Sequence, residues 1–350
     1  GKEKSFSFEK TMFLLLFGKV PSNFELKMFI STLKEYRHLP DEFIEDFILR
    51  KPSADIMNQL QRAVLCLYTL DSNPDDVDLS NLIDQSLNLI AKFPSLLVYC
   101  YQACNYKHFN ESLIIHNPVE EYSIAENILH MLRIDNKFTP LEAEILDLIL
   151  VIHAEHGGGN NSTFTSHVVS STRTDTYSSI SASIGSLKGP MHGGANSMVT
   201  QMIEDMKKNT NPYDEEKLKE YLKGIFDKKG RIYGMGHAVY TVSDPRAVIL
   251  KKKARELARE KDALEEFELF SNVEKFTKEI GKELKGKDFE ICANVDLYSG
   301  FVYNLLDIPQ NIFTPLFALA RIASWNAHRI EQIIIDKKLI RPAYKAIDEE

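Results

Sequence analysis

The chain has 350 residues, enough for two domains or one large one, with a core that needs no disulfide or metal staple. Apolar residues make up 44% and charged residues 26%, which excludes a disordered chain; the formal net charge of −8 excludes nonspecific binding to nucleic acid or an anionic membrane as the main role. With 16 glycines and 13 prolines, about 8% of the chain against a usual ~12%, turns are scarce and a mostly α-helical protein is expected.

The longest apolar stretch near the start, Met12 to Phe17, is far shorter than the ~20 residues that span a bilayer. No signal-peptide pattern follows it. Four cysteines, Cys66, Cys100, Cys104 and Cys292, are too few and too scattered for a disulfide framework. Cys100 and Cys104 stand one helical turn apart among Leu, Val and Tyr and read as buried thiols, so a reducing, cytoplasmic setting is expected. Through the first 150 residues helix follows helix. Segments open at Asp41-Glu42-Phe43-Ile44 and Ser80-Asn81-Leu82-Ile83 with apolar residues three and four apart. Ser123 with Glu126, and Thr139 with Glu142, have the spacing of capping boxes, and Pro140 falls at a first helical position. Leu141, Ile145, Leu148, Ile149 and Ile152 form one apolar stripe, on a helix expected to stop at Gly157-Gly158-Gly159.

From Thr163 to Ile184 small hydroxyl residues recur, interrupted by Val168, Val169, Tyr177 and Ile180. That interruption favours a buried, tightly packed helix pair over a flexible linker. Residues 204 to 290 are dense in Lys, Glu and Asp, with pairs such as Glu274 and Lys278 at helical spacing, and read as solvated helices of a smaller domain. Apolar helix returns from Pro315 through Ile335.

Against this background five polar or glycine-rich segments stand out. They are His153-Ala-Glu-His156, Leu187 to Asn196 around His192, Gly234-Met-Gly-His237-Ala-Val, Asp244-Pro-Arg246, and Ala293-Asn-Val-Asp296-Leu-Tyr-Ser-Gly300. Gly234-Met235-Gly236 lacks the third glycine of a dinucleotide fingerprint, and no Gly-Lys-Ser/Thr closes the Gly189 region as a phosphate loop would. His153 and His156 do not have the spacing of a zinc hydrolase, and no metal site is expected. Taken singly, a His beside Gly reads as a turn residue and Asp296 as a helix cap. Taken together, two histidines, an aspartate and several arginines suit carbon-acid chemistry. A carboxylate removes a proton from carbon, imidazoles hydrogen-bond the oxygen where enolate charge develops, and arginines hold a substrate's carboxylates.

In order and spacing the five segments resemble the citrate synthase family, from about Ser123 to the carboxy terminus, with Leu187 to Asn196 and Asn294 to Gly300 the most specific. The first hundred residues match in helical character alone. Family members usually carry a further short segment ahead of this start, so a trimmed chain is expected. The resemblance implies an all-helical, two-domain fold: residues 1–195 plus 302–350 as a large dimerisation domain and 196–301 as a small domain closing over a cleft. It implies condensation of acetyl-CoA with oxaloacetate and hydrolysis of citryl-CoA, without metal or cofactor.

On this resemblance Asp296 is the base, His192 a donor to the thioester oxygen, and His237 the acid at the oxaloacetate carbonyl. His156, Arg246 and Arg321 bind oxaloacetate, Arg341 matches an arginine the family supplies from the partner subunit of a homodimer, and Gly234, Met235, Gly236, Ala238 and Val239 line the CoA site. Ser197 and Thr241 depart from the pattern, and Thr241 puts the CoA phosphate contacts in doubt. The run Lys251-Lys252-Lys253 reads as a solvated face rather than a substitute. The alternatives are a 2-methylcitrate synthase using propionyl-CoA through the same residues, and a catalytically silent CoA-binding relative. The complete set of His192, His237 and Asp296 speaks against the latter.

Overall fold

The structure, a computed structural model, describes residues 7–236, 240, 242–336 and 338–343. Among these residues there are helices and no strand, and an isolated antiparallel bridge pairs Met235 with Ala293. In chain order the first helices are α1 (Ser7–Phe17), α2 (Asn23–Tyr36) and α3 (Asp41–Phe43), the last running straight into a π-helical turn at Ile44–Leu49. Then come α4 (Ile56–Cys66), α5 (Leu79–His108), α6 (Ile124–Leu132), α7 (Pro140–His153), α8 (Asn161–Ser170) and α9 (Thr176–Lys188). The remainder are α10 (Ala195–Asn209), α11 (Glu215–Asp227), α12 (Pro245–Glu260), α13 (Leu264–Lys285), α14 (Val295–Leu305) and α15 (Phe313–Ile335). No helix of the described residues is long and apolar enough to cross a membrane.

Both expected capping boxes form. The Ser123 hydroxyl accepts the Glu126 amide while Glu126 accepts the Ser123 amide, and Thr139 with Glu142 repeats the exchange at 3.2 and 2.7 Å. Helix α7 ends at His153, short of the glycines, because side chains capture the backbone there. Arg321 takes the His153 carbonyl, and Glu155 takes the amides of His156 and Gly157.

The chain divides into two compact units. The first takes in Gly1–Asn136, His153–Lys188 and Phe317–Glu350. Its Ser-rich segment is the packed helix pair the small residues suggested. Ser166, Ser170, Ser179 and Ser183 are buried, and Ser170 Oγ lies 2.9 Å from Ser179 Oγ. Such hydroxyls need partners when dry. Arg329, itself buried on α15, partners Ser170 by donating to its Oγ, and it also donates to Thr176 Oγ1 and the Thr174 carbonyl. Burial lowers the Arg329 guanidinium to about 10, with Asp175 pulling the other way.

The second unit takes in Lys137–Ile152 and Gly189–Leu316. Leu250 and Leu257 of α12, Val273 and Phe276 of α13, and Leu297 and Phe301 of α14 are buried in it. Its charged helices are less solvated than their composition suggests. Glu274 accepts from Lys278 at 2.6 Å, from Lys251 at 2.9 Å and from the Tyr298 hydroxyl at 2.6 Å, tying α12, α13 and α14 together. Burial opposes the charge on Glu274, but those three donors hold its carboxyl at about 2. Of the lysine run, Lys251 is thus committed to Glu274, and Lys253 pairs with Glu144 at 2.8 Å and Glu256 at 2.9 Å.

Candidate active site

Asp296 lies in the first turn of α14, where the helix dipole favours a negative charge. It is not the cap. Asn294 holds that position, its Oδ1 accepting the Asp296 amide at 3.0 Å and its Nδ2 donating to the Gly236 carbonyl at 2.9 Å. The Asp296 carboxyl is left for other work. Burial pushes it up from 3.8 to about 6; Arg246 pulls it down and Asp244 adds to the rise. A carboxyl in that range takes a proton near neutral pH more readily than an ordinary aspartate.

Residues Gly234–Gly236 lie against the start of α14. The Asn294 amide donates to the Gly234 carbonyl at 2.9 Å and the Gly236 amide to the Cys292 carbonyl at 2.7 Å. Gly234 has φ +81°, and a Cβ there would stand 2.9 Å from Leu297 Cα, so only glycine allows this approach. Met235 faces Ala293 through the isolated bridge. His237, Ala238 and Val239 lie outside the described residues.

His192 sits half-buried in the turn between α9 and α10, its amide donating to the Gly189 carbonyl at 2.9 Å. Gly194 closes this turn, since a Cβ there would come within 2.8 Å of the Pro190 carbonyl oxygen. The turn is fastened twice. Thr314 donates to the Gly193 carbonyl at 2.9 Å, and the buried Asn196 accepts Ser299 Oγ of α14 at 2.9 Å. One helix, α14, therefore carries Asp296 and anchors the segment bearing His192. Arg246 is held close by: the fully buried Asp244 carboxylate accepts its Nε at 3.1 Å and its Nη2 at 3.0 Å while capping α12.

In the first unit, His156 is exposed and follows Glu155, which binds its amide. Arg321 is buried, donates to the His153 carbonyl and lies over the Phe317 ring at 4.9 Å from its centroid. Phe317 meets the His153 ring edge-on at 5.1 Å. Arg341 is exposed near the end of the described chain, where the Ile340 amide donates to Ser171 Oγ at 3.0 Å.

The family model "Citrate synthase, C-terminal domain" matches residues 2–343. The chain belongs to the citrate synthase family. It is an acyltransferase of the class whose acyl group becomes an alkyl group on transfer. A citrate synthase of Deinococcus radiodurans is 36% identical over 340 residues, covering 97% of this chain and 85% of the relative. A 2-methylcitrate synthase of Shewanella oneidensis is 31% identical over 340 residues, covering 96% and 83%. Among solved structures, the ternary complex of citrate synthase from Thermoplasma acidophilum with carboxymethyl coenzyme A and oxaloacetate superposes with a TM-score of 0.82 at 29% identity. That match covers 98% of this chain and 86% of the other.

The residues that fasten the segments of His192 and Asp296 carry no signal of that role in the amino-acid sequence. Asn294, Asn196 and Ser299 sit inside the polar segments and Thr314 outside them, and nothing in their types marks them as fasteners. Asp244 and Glu155 were visible in Asp-Pro-Arg and His-Ala-Glu-His, where a carboxylate one or two residues from a cationic or backbone donor is the available signal.

Proposed function

We propose that the enzyme condenses acetyl-CoA with oxaloacetate and hydrolyses the resulting citryl-CoA to citrate and CoA. The observation that carries this reading is the Asp296 carboxyl, freed of capping duty by Asn294 and raised to about 6 by burial. A thioester α-proton is a very weak acid, so its removal by Asp296 requires the enolate oxygen to be stabilised in the same step. His192 donates the hydrogen bond to that oxygen. The enol carbon then attacks the oxaloacetate carbonyl, whose oxygen takes a proton from His237. Water cleaves the citryl thioester, releases CoA and makes the sequence irreversible.

His156, Arg246 and Arg321 bind oxaloacetate, the arginines by paired contacts to its carboxylates. Gly234, Met235, Gly236, Ala238 and Val239 line the CoA site through backbone groups, and the close approach of Gly234 to Leu297 supports a backbone surface there. The active form is a cytoplasmic homodimer in which Arg341 of the partner subunit completes the carboxylate site. The chemistry asks for no metal or cofactor, since a carboxylate, imidazoles and guanidinium groups supply every step.

A second reading is a 2-methylcitrate synthase, supported by the 31% identical relative of that name. Turnover with acetyl-CoA and with propionyl-CoA, each with oxaloacetate, decides. A kcat/KM at least tenfold higher for acetyl-CoA is expected. The reverse preference overturns the first reading in favour of the second, and no CoA release from either overturns both.

A further inference from the structure

Between His153 and His156 the chain carries a carboxylate with donors on two sides. Glu155 Oε1 accepts the backbone amides of His156, at 2.8 Å, and of Gly157. Its Oε2 accepts the Ser324 hydroxyl and lies 3.2 Å from His328 Nε2, both from α15. Burial alone would raise this carboxyl, but hydrogen bonds from His328, Ser324 and Gly157 hold it at about 2. It is therefore ionised throughout the neutral range.

The anchor is itself anchored. His328 Nδ1 lies 3.0 Å from His167 Nε2 of α8, and His167 Nδ1 lies 2.8 Å from Gln332 Oε1. Ser324, His328 and Gln332 recur every four residues and so share one face of α15. That face presents a polar row on a helix rich in Ile and Ala. The loop it grips has little stiffness of its own, with three glycines from Gly157 and φ +84° at the first.

We propose that Glu155 is a positioning residue: its carboxylate, anchored by Ser324 and His328, sets the backbone at 156–157 and so aims the His156 imidazole at oxaloacetate. The inference rests on the reading that His156 touches that substrate. A group that acts through His156 moves oxaloacetate affinity. A group that merely stabilises the fold moves both substrates and turnover alike.

Glu155→Gln keeps the shape but turns an NH2 group toward one pair of donors. Hydrogen bonds to a charged group are strong enough that losing them should raise the oxaloacetate Kd, measured by calorimetry, about tenfold or more. The KM for the acyl-CoA should stay within about twofold on the same argument. Ser324→Ala removes one donor and should shift the oxaloacetate Kd in the same direction by less; it carries the test if Glu155→Gln does not fold. In a His156→Asn background Glu155→Gln should add nothing, because the two changes act through one contact. An unchanged Kd, a full additive loss in the double variant, or equal losses for both substrates overturns the inference. If the unmodified protein binds no oxaloacetate, the functional reading falls as well. If it binds and Glu155→Gln binds equally well, the positioning role alone falls.

Discussion

Replacing Asp296 with Asn keeps the size of the side chain and removes its charge, and the cap of α14 is untouched because Asn294 supplies it. The carboxyl rises from 3.8 to about 6 on folding. At 1.36 kcal/mol per pKa unit, keeping it ionised in the folded protein costs about 3 kcal/mol near neutral pH. The sign follows from which value is higher. The folded protein holds its proton between about pH 4 and 6, where the unfolded chain has released it, so the stability of the unmodified protein falls as pH rises through that window and is flat above. Asn has no such slope. The variant should therefore match the unmodified protein below pH 4 and exceed it at pH 7–8.

With an unfolding entropy of ~2.1 cal/mol/K per residue over this length, ~3 kcal/mol corresponds to a Tm higher by ~4 °C. Turnover should fall at least ~10²-fold, the lower end for loss of a general base. The acidic limb of the pH profile near 6 should go with it. Thermal unfolding from pH 4 to 8 reads the first effect. Exchange of acetyl-CoA methyl protons with solvent, with a non-reacting oxaloacetate analogue bound, reads the second. A Tm at pH 8 that is unchanged or lower refutes the burial argument, and exchange at the unmodified rate would mean that another residue is the base.

Gly234→Ala forces a Cβ to within 2.9 Å of Leu297 Cα at a φ of +81°. It should destabilise the protein by ~1–3 kcal/mol in a denaturant titration and raise the KM for acyl-CoA while oxaloacetate binding holds; a neutral substitution would show that the segment does not press on α14. Glu274→Gln should cost about 3 kcal/mol at pH 7, since the three donors lower this carboxyl from 4.5 to about 2. The folded value here is the lower one, so the loss should be full above about pH 4.5 and fade as pH falls toward 2. A pH-independent difference would contradict the charge-based account.

Features that depend on near neighbours were legible before the chain was folded. The capping boxes at Ser123 and Thr139 follow from residues three apart, and the close pairing of α8 with α9 follows from their small side chains. The histidines, glycines and Asp296 were legible as a chemical set because their types and order are rare in combination. Tertiary structure decided what depends on residues brought together from far along the chain. Glu274 and Lys278 looked like one solvated pair until Lys251 and Tyr298 arrived from two other helices and made the carboxylate a buried hub. Asp296 could have been a cap, and Asn294 two positions earlier took that duty when its side chain met Gly236. Glu155 became a clamp when α15 delivered Ser324 and His328, some 170 residues away. The physical reason is the same in each case: hydrogen-bond spacing is a local property of the chain, whereas burial and the summed field of charges, which set a carboxyl at 2 or at 6, depend on everything the fold packs around it.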